Sequence, residues 1–118
     1  MIAIVDDDPA VREATERLVR SLGYRASAFG SADEFLKSGQ VHDTSCLITD
    51  LHMPGLSGTE LQDCLIARGY CIPIIFITAD PDENVRRRAM KAGAVGFLSK
   101  PYRDDHLLGY LDSALKAS

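Results

Sequence analysis

The sequence contains no tryptophan, only three cysteines, and no apolar run long enough to cross a bilayer. Cys46, Cys64 and Cys71 are odd in number and never two residues apart, which excludes a disulfide framework and a zinc knuckle. They read as reduced thiols of a cytoplasmic protein. The longest apolar stretch, 71–78, is broken by Pro73 and falls far short of the roughly 20 residues a membrane helix needs. The first charge arrives at Asp6, so neither a secretory leader nor a membrane anchor is expected. Charge of one sign is also scarce: 13 Lys and Arg face 17 Asp and Glu, a net charge of -4, which argues against disorder and against a general nucleic-acid surface. Repeats, linkers and low-complexity segments are lacking too. The 118 residues therefore suit one domain, with a radius of gyration of roughly 13 to 14 Å.

What is present is alternation. Short apolar runs at 2–5, 24–29, 46–49, 72–77 and 95–98 read as strands of a parallel sheet covered on both faces. Between and after them come five segments of helical period, carried by Val11, Ala14 and Leu18, by Ala32, Phe35 and Leu36, by Leu61, Cys64 and Leu65, by Val85, Ala89 and Ala92, and by Leu107, Leu111 and Leu115. Asp8-Pro9 supplies a helix cap and a first-turn proline, Ser31…Glu34 and Ser57…Glu60 read as capping boxes, and Gly23, Gly39, Gly69 and Gly93 stand where helices end. Five strands and five helices joined by right-handed crossovers make a three-layer, doubly wound α/β domain. Such sheets bind ligands beyond the carboxyl ends of their strands.

At those ends stand Asp6, Asp7 and Asp8, then Asp50, Thr78 and Lys100. Converging carboxylates repel one another, so such clusters commonly hold a hard divalent cation, with Mg2+ the best fit to oxygen donors. Asp8, directly before Pro9, reads as a helix cap. A solvated acidic turn is the plain alternative for Asp6 and Asp7, and Asp50 tips the balance by adding a carboxylate at the mouth of a buried strand. Acids, a lysine and a hydroxyl suit phosphoryl chemistry, in which a carboxylate oxygen can be the nucleophile.

The motifs Ile4-Val5-Asp6-Asp7-Asp8, Thr49-Asp50-Leu51-His52-Met53-Pro54-Gly55-Leu56-Ser57-Gly58, Phe76-Ile77-Thr78-Ala79 and Lys91-Ala92-Gly93-Ala94-Val95-Gly96-Phe97-Leu98-Ser99-Lys100-Pro101 follow one another along the whole chain. Together they resemble the receiver domain of two-component response regulators. Residues 30–36 and 89–94 look most like receivers of FixJ-type transcription factors. The resemblance implies the flavodoxin-like strand order 2-1-3-4-5 and a phosphoacceptor role for Asp50. It implies Mg2+ or Mn2+ bound by Asp6, Asp7, Asp50 and the backbone carbonyl of His52. By the same likeness Lys100 pairs with the phosphoryl group, Thr78 and Phe97 are switch residues, and Pro101 follows a cis peptide bond.

A sensor histidine kinase is the implied phosphoryl donor. A phosphorylation-dependent homodimer through the fourth helix and fifth strand, and contact with DNA only through a separate output domain, are further implications. The span 1–118 houses one receiver and leaves no room for a helix-turn-helix output, so a fragment of a longer regulator is expected. Arg86, Arg87, Arg88 and Lys91 on the fourth helix, with Glu83 one turn before Arg87, read by default as a solvated face. Three other readings compete. A Mg2+-dependent phosphohydrolase would need a substrate-binding insertion; a flavin-type cofactor site would need amide donors where three aspartates stand; a degenerate, purely protein-binding receiver would not keep the full set of acids, hydroxyl and lysine. A signalling phosphoacceptor, not an enzyme with turnover, is the expectation.

Overall fold

Strands that are apolar on both faces must be sandwiched, and the computed structural model, which describes residues 1–116, shows them so. Ala117 and Ser118, which close the expected 1–118 domain, lie outside the described residues. In chain order the elements are β1 (Ile2–Val5), α1 (Pro9–Ser21), β2 (Ala26–Phe29), α2 (Ala32–Lys37), a short 3-10 turn (Val41–Asp43), β3 (Cys46–Asp50), α3 (Gly58–Ala67), β4 (Ile74–Thr78), α4 (Glu83–Lys91), β5 (Gly96–Ser99) and α5 (Asp104–Lys116). All pairings are parallel and the order is β2-β1-β3-β4-β5, as the resemblance implied. The radius of gyration is 12.7 Å.

Alternate residues of each strand feed opposite cores. Ala3, Val5, Leu47 and Phe76 meet Phe35 of α2, Leu61 and Leu65 of α3 and Ala89 of α4 on one face. Ile2, Ile4, Ile48, Ile75 and Ile77 meet Val19 of α1 and Leu107, Leu111 and Ala114 of α5 on the other. Each large side chain buried in this way stabilises the fold by about 1.5 to 3 kcal/mol. Cys46 is buried in the second core, where desolvation pushes its thiol up to about 12. All three cysteines are free.

Most boundaries agree with the pattern, and the exceptions have local causes. The second strand starts at Ala26 and not at 24, because the Tyr24 N–H turns back to the Val19 carbonyl and helps close α1. The fourth starts at Ile74, since Pro73 has no N–H to donate, although its carbonyl accepts from Leu47. The fifth starts at Gly96, one residue late. The third, fourth and fifth each run on to Asp50, Thr78 and Ser99, as pairing continues into the site. Asp8 caps α1 through the Ala10 and Val11 N–H groups. Ser57 and Glu60 form a reciprocal capping box. Ser31 and Glu34 do not: Ser31 accepts the Glu34 N–H, but the Glu34 carboxylate reaches past Ser31 to the N–H of Gly30. The glycines expected to end helices all have positive φ, from 76° at Gly39 to 110° at Gly93.

Candidate functional site

The strand order reverses between β1 and β3, so a crevice is expected beyond their carboxyl ends. Val5 pairs with Thr49, which places Asp6 and Asp50 side by side just past the last rung. The Asp6 N–H bonds to the Phe29 carbonyl at 3.2 Å and its Oδ1 accepts the Asp8 N–H at 2.9 Å. Carboxylate oxygens of Asp6, Asp7 and Asp50 all lie within 4.8 Å of one another. Asp6 is buried, Asp50 half-buried and Asp7 exposed.

Lys100 enters from the far side of the sheet. Its N–H bonds to the Thr78 carbonyl at 2.8 Å, and the Lys100-Pro101 peptide is cis, as expected. The ammonium lies 3.2 Å from Asp50 Oδ2 and 3.6 Å from Asp6 Oδ2, bridging the two acids. Burial raises the pKa of the Asp6 carboxyl, helped by the charges of Asp50 and Asp7; the Asp8 N–H and Lys100 oppose that rise without cancelling it. Burial alone would lower the Lys100 pKa, but its hydrogen bond to Asp50 and the two carboxylate charges outweigh that, and the pKa ends up raised. One cation against three carboxylates leaves negative charge in excess. Like charges about 4 Å apart cost on the order of 4 kcal/mol at an effective dielectric near 20, so a second cation is strongly favoured here. Hard carboxylate oxygens with one exposed member suit Mg2+, which keeps several waters.

The backbone around Asp50 is held as tightly as its side chain. Asp50 Oδ1 accepts the His52 N–H at 3.1 Å, and the Gly58 N–H bonds to the Leu51 carbonyl at 2.9 Å. A Cβ on Gly58 would sit 2.5 Å from the Asp50 carbonyl oxygen and 3.1 Å from Phe76, so only glycine lets α3 start this close to the site. The sequence motif contained Gly58, but its reason lies in a contact between α3 and β3.

The expected switch residues are placed differently. Thr78 is completely buried, and its hydroxyl closes a turn with Asp80, accepting the Asp80 N–H at 3.1 Å and donating to the Asp80 carbonyl at 3.3 Å. Phe97 is half-buried, with its ring 6.2 Å from that of Phe76. Neither contacts a carboxylate of the cluster. His52 is exposed and supplies its N–H to Asp50. Two further residues carry no clear sequence signal. Arg12 Nη1 donates to the Asp6 carbonyl at 2.8 Å, and Tyr102, just past the cis bond, meets the Thr15 hydroxyl at 3.3 Å.

A flavodoxin-like α/β domain with an acidic pocket and a bridging lysine at its switch point is a definite class of protein, and comparison with known chains names it. The family profile described as response regulator receiver domain matches residues 2–112. The chain is 47% identical over 116 residues to the response regulator protein TmoT of Ectopseudomonas mendocina, covering 98% of this chain and 53% of that protein. It is 36% identical over 115 residues to the transcriptional regulatory protein FixJ of Bradyrhizobium diazoefficiens, covering 98% of this chain and 56% of FixJ. A solved structure of the response regulator StyR superposes with a TM-score of 0.91 at 43% identity, over 98% of this chain and 59% of that one. The chain belongs to the response regulator receiver domain family. It spans about half the length of the curated relatives it matches.

Proposed function

We propose that Asp50 is the phosphoacceptor of this receiver, and that a sensor histidine kinase supplies the phosphoryl group. The observation that carries this reading is the Lys100 ammonium held between Asp50 and Asp6, beside an Asp50 that stays partly open to solvent, its side chain 12% exposed. An Asp50 carboxylate oxygen attacks phosphorus in line. The bond from phosphorus to the donor imidazole nitrogen breaks, and its electron pair stays on that nitrogen. Lys100 stabilises charge on the transferring oxygens. Asp6, Asp7, Asp50 and the His52 carbonyl would hold Mg2+ or Mn2+, which supplies neutralisation of the phosphoryl charge when bound. The Thr78 hydroxyl then leaves Asp80 for a phosphoryl oxygen, Phe97 turns toward the space released, and α4 and β5 shift.

The altered face of α4, β5 and α5 serves a homodimer or an output domain, and DNA is reached only through that output, so the downstream role is control of transcription. The chain assists its own modification and has no separate substrate to turn over. Among the described residues no helix is long and apolar enough to cross a membrane, and a cytoplasmic site of action fits the kinase partner. Incubation with Mg2+ and a small acyl phosphate, followed by intact mass, tests the acceptor. Wild type gains one phosphoryl group and Asp50→Asn gains none; a gain that survives Asp50→Asn moves the acceptor elsewhere. Sizing before and after modification tests the dimer, which an unchanged elution would sink.

A further inference from the structure

The Asp6-Asp7 turn carries one buried and one exposed carboxylate, yet it must aim both at one point. Three of its groups are fixed. The Asp6 N–H is tied to Phe29, the Asp6 side chain accepts the Asp8 N–H, and Asp8 caps α1. The peptide between Asp6 and Asp7 is the remaining backbone group of the turn. Its carbonyl is where Arg12 Nη1 donates, at 2.8 Å. Arg12 stands on the second turn of α1 and is itself confined. A Cβ at Gly30 would come 3.4 Å from Arg12 Nη1 and 3.2 Å from Glu34 Oε2, and that carboxylate is held by the Gly30 N–H at 3.0 Å. The end of β1, the start of α1 and Gly30 after β2 thus lie beside one guanidinium.

We infer that Arg12 is a positioning residue for the cation site: by tying the Asp6 carbonyl to α1 it holds the stretch of backbone that carries Asp6 and Asp7. The inference rests on the reading of Asp6, Asp7 and Asp50 as the Mg2+ ligands. Outer partners that orient metal ligands typically contribute 10- to 100-fold in affinity. Simple electrostatics makes the opposite prediction, because removing a nearby cation should tighten the binding of another. The sign of the effect therefore separates the two roles.

The test is Mg2+ affinity by calorimetry on the whole chain, for wild type, Arg12→Ala, Arg12→Lys and Gly30→Ala, with the melting temperature of each measured without metal. Arg12→Ala weakens Mg2+ binding about tenfold, equivalent to about 1.4 kcal/mol. Arg12→Lys, which keeps the charge and one donor, recovers part of that loss. Gly30→Ala, whose backbone needs no positive φ and whose Cβ meets Arg12 Nη1 only at ordinary contact distance, binds Mg2+ as wild type does. Equal or tighter binding by Arg12→Ala, or a loss that follows metal-free stability across the set, overturns the inference and leaves the ligand assignment standing. A wild-type chain that binds no Mg2+ overturns both.

Discussion

The two halves of the strand-end crevice differ in how finished they are. On the β1 and β3 side, Asp6, Asp7 and Asp50 converge and Lys100 already bridges two of them. On the β4 and β5 side, Thr78 is turned to Asp80 and Phe97 packs toward Phe76, with no contact to the acids. Helix α4 is also lightly moored. Ala89 is its one buried residue, and its carbonyl takes the Gln62 side-chain amide at 3.1 Å. The acidic half stores unfavourable charge that a cation relieves. The other half stores little, so on the proposed function it moves at low cost when Thr78 turns to a phosphoryl oxygen.

Substitutions that strike the finished half should therefore cost most. Gly58→Ala forces a Cβ to 2.5 Å from the Asp50 carbonyl and should destabilise by about 3 kcal/mol, read by urea unfolding, with loss of phosphoryl acceptance. Lys100→Ala leaves Asp6 and Asp50 unbridged and should cost about 2 kcal/mol at neutral pH. Because the folded pKa of Lys100 lies above its ordinary 10.5, its stabilisation is complete below 10.5 and fades as pH rises through the folded value. A Lys100→Ala deficit that persisted unchanged in strong alkali would contradict the bridge.

Asp6→Asn should do the reverse and stabilise the metal-free protein by about 1 kcal/mol, while abolishing its response to Mg2+. The Asp6 carboxyl is raised above 3.8, so the folded chain keeps that proton longer than the unfolded one. The contribution of Asp6 to stability accordingly falls as pH rises from 3.8 through its folded value, so the advantage of Asp6→Asn over wild type appears over that window and disappears in acid. Melting curves from pH 3 to 7 decide it. The smallest effect belongs to α4. Glu83 is fully exposed, and its pairing with Arg86 at 2.6 Å should leave stability unchanged within error in Glu83→Gln.

The same contrast explains what could be read from the sequence. Strand-end acids, Lys100 and most of the caps are local in sequence or tied to a strand terminus, so the apolar period exposes them, while the cis bond comes only from the family resemblance. Arg12, Gly30 and Gly58 act across elements, and their reasons are distances between β1 and α1, β2 and α2, or β3 and α3. Glu83 pairs with Arg87 one turn on, as expected, at 3.6 Å, and in addition with Arg86, whose guanidinium donates through Nε at 2.9 Å and Nη2 at 2.6 Å. The net charge of -4 is likewise equal to the four acids Asp6, Asp7, Asp8 and Asp50, of which three face the crevice and Asp8 is spent as a cap.

The central claim is that the acidic half accepts the phosphoryl group by itself and the Thr78 half only reports it. Amide hydrogen exchange over α4, measured before and after acyl-phosphate modification in wild type and Thr78→Ala, tests this directly. Both proteins should carry the same phosphoryl occupancy, with exchange in α4 changing in wild type and staying fixed in Thr78→Ala. An equal change in α4 in both proteins, or a Thr78→Ala chain that cannot be phosphorylated, would contradict it.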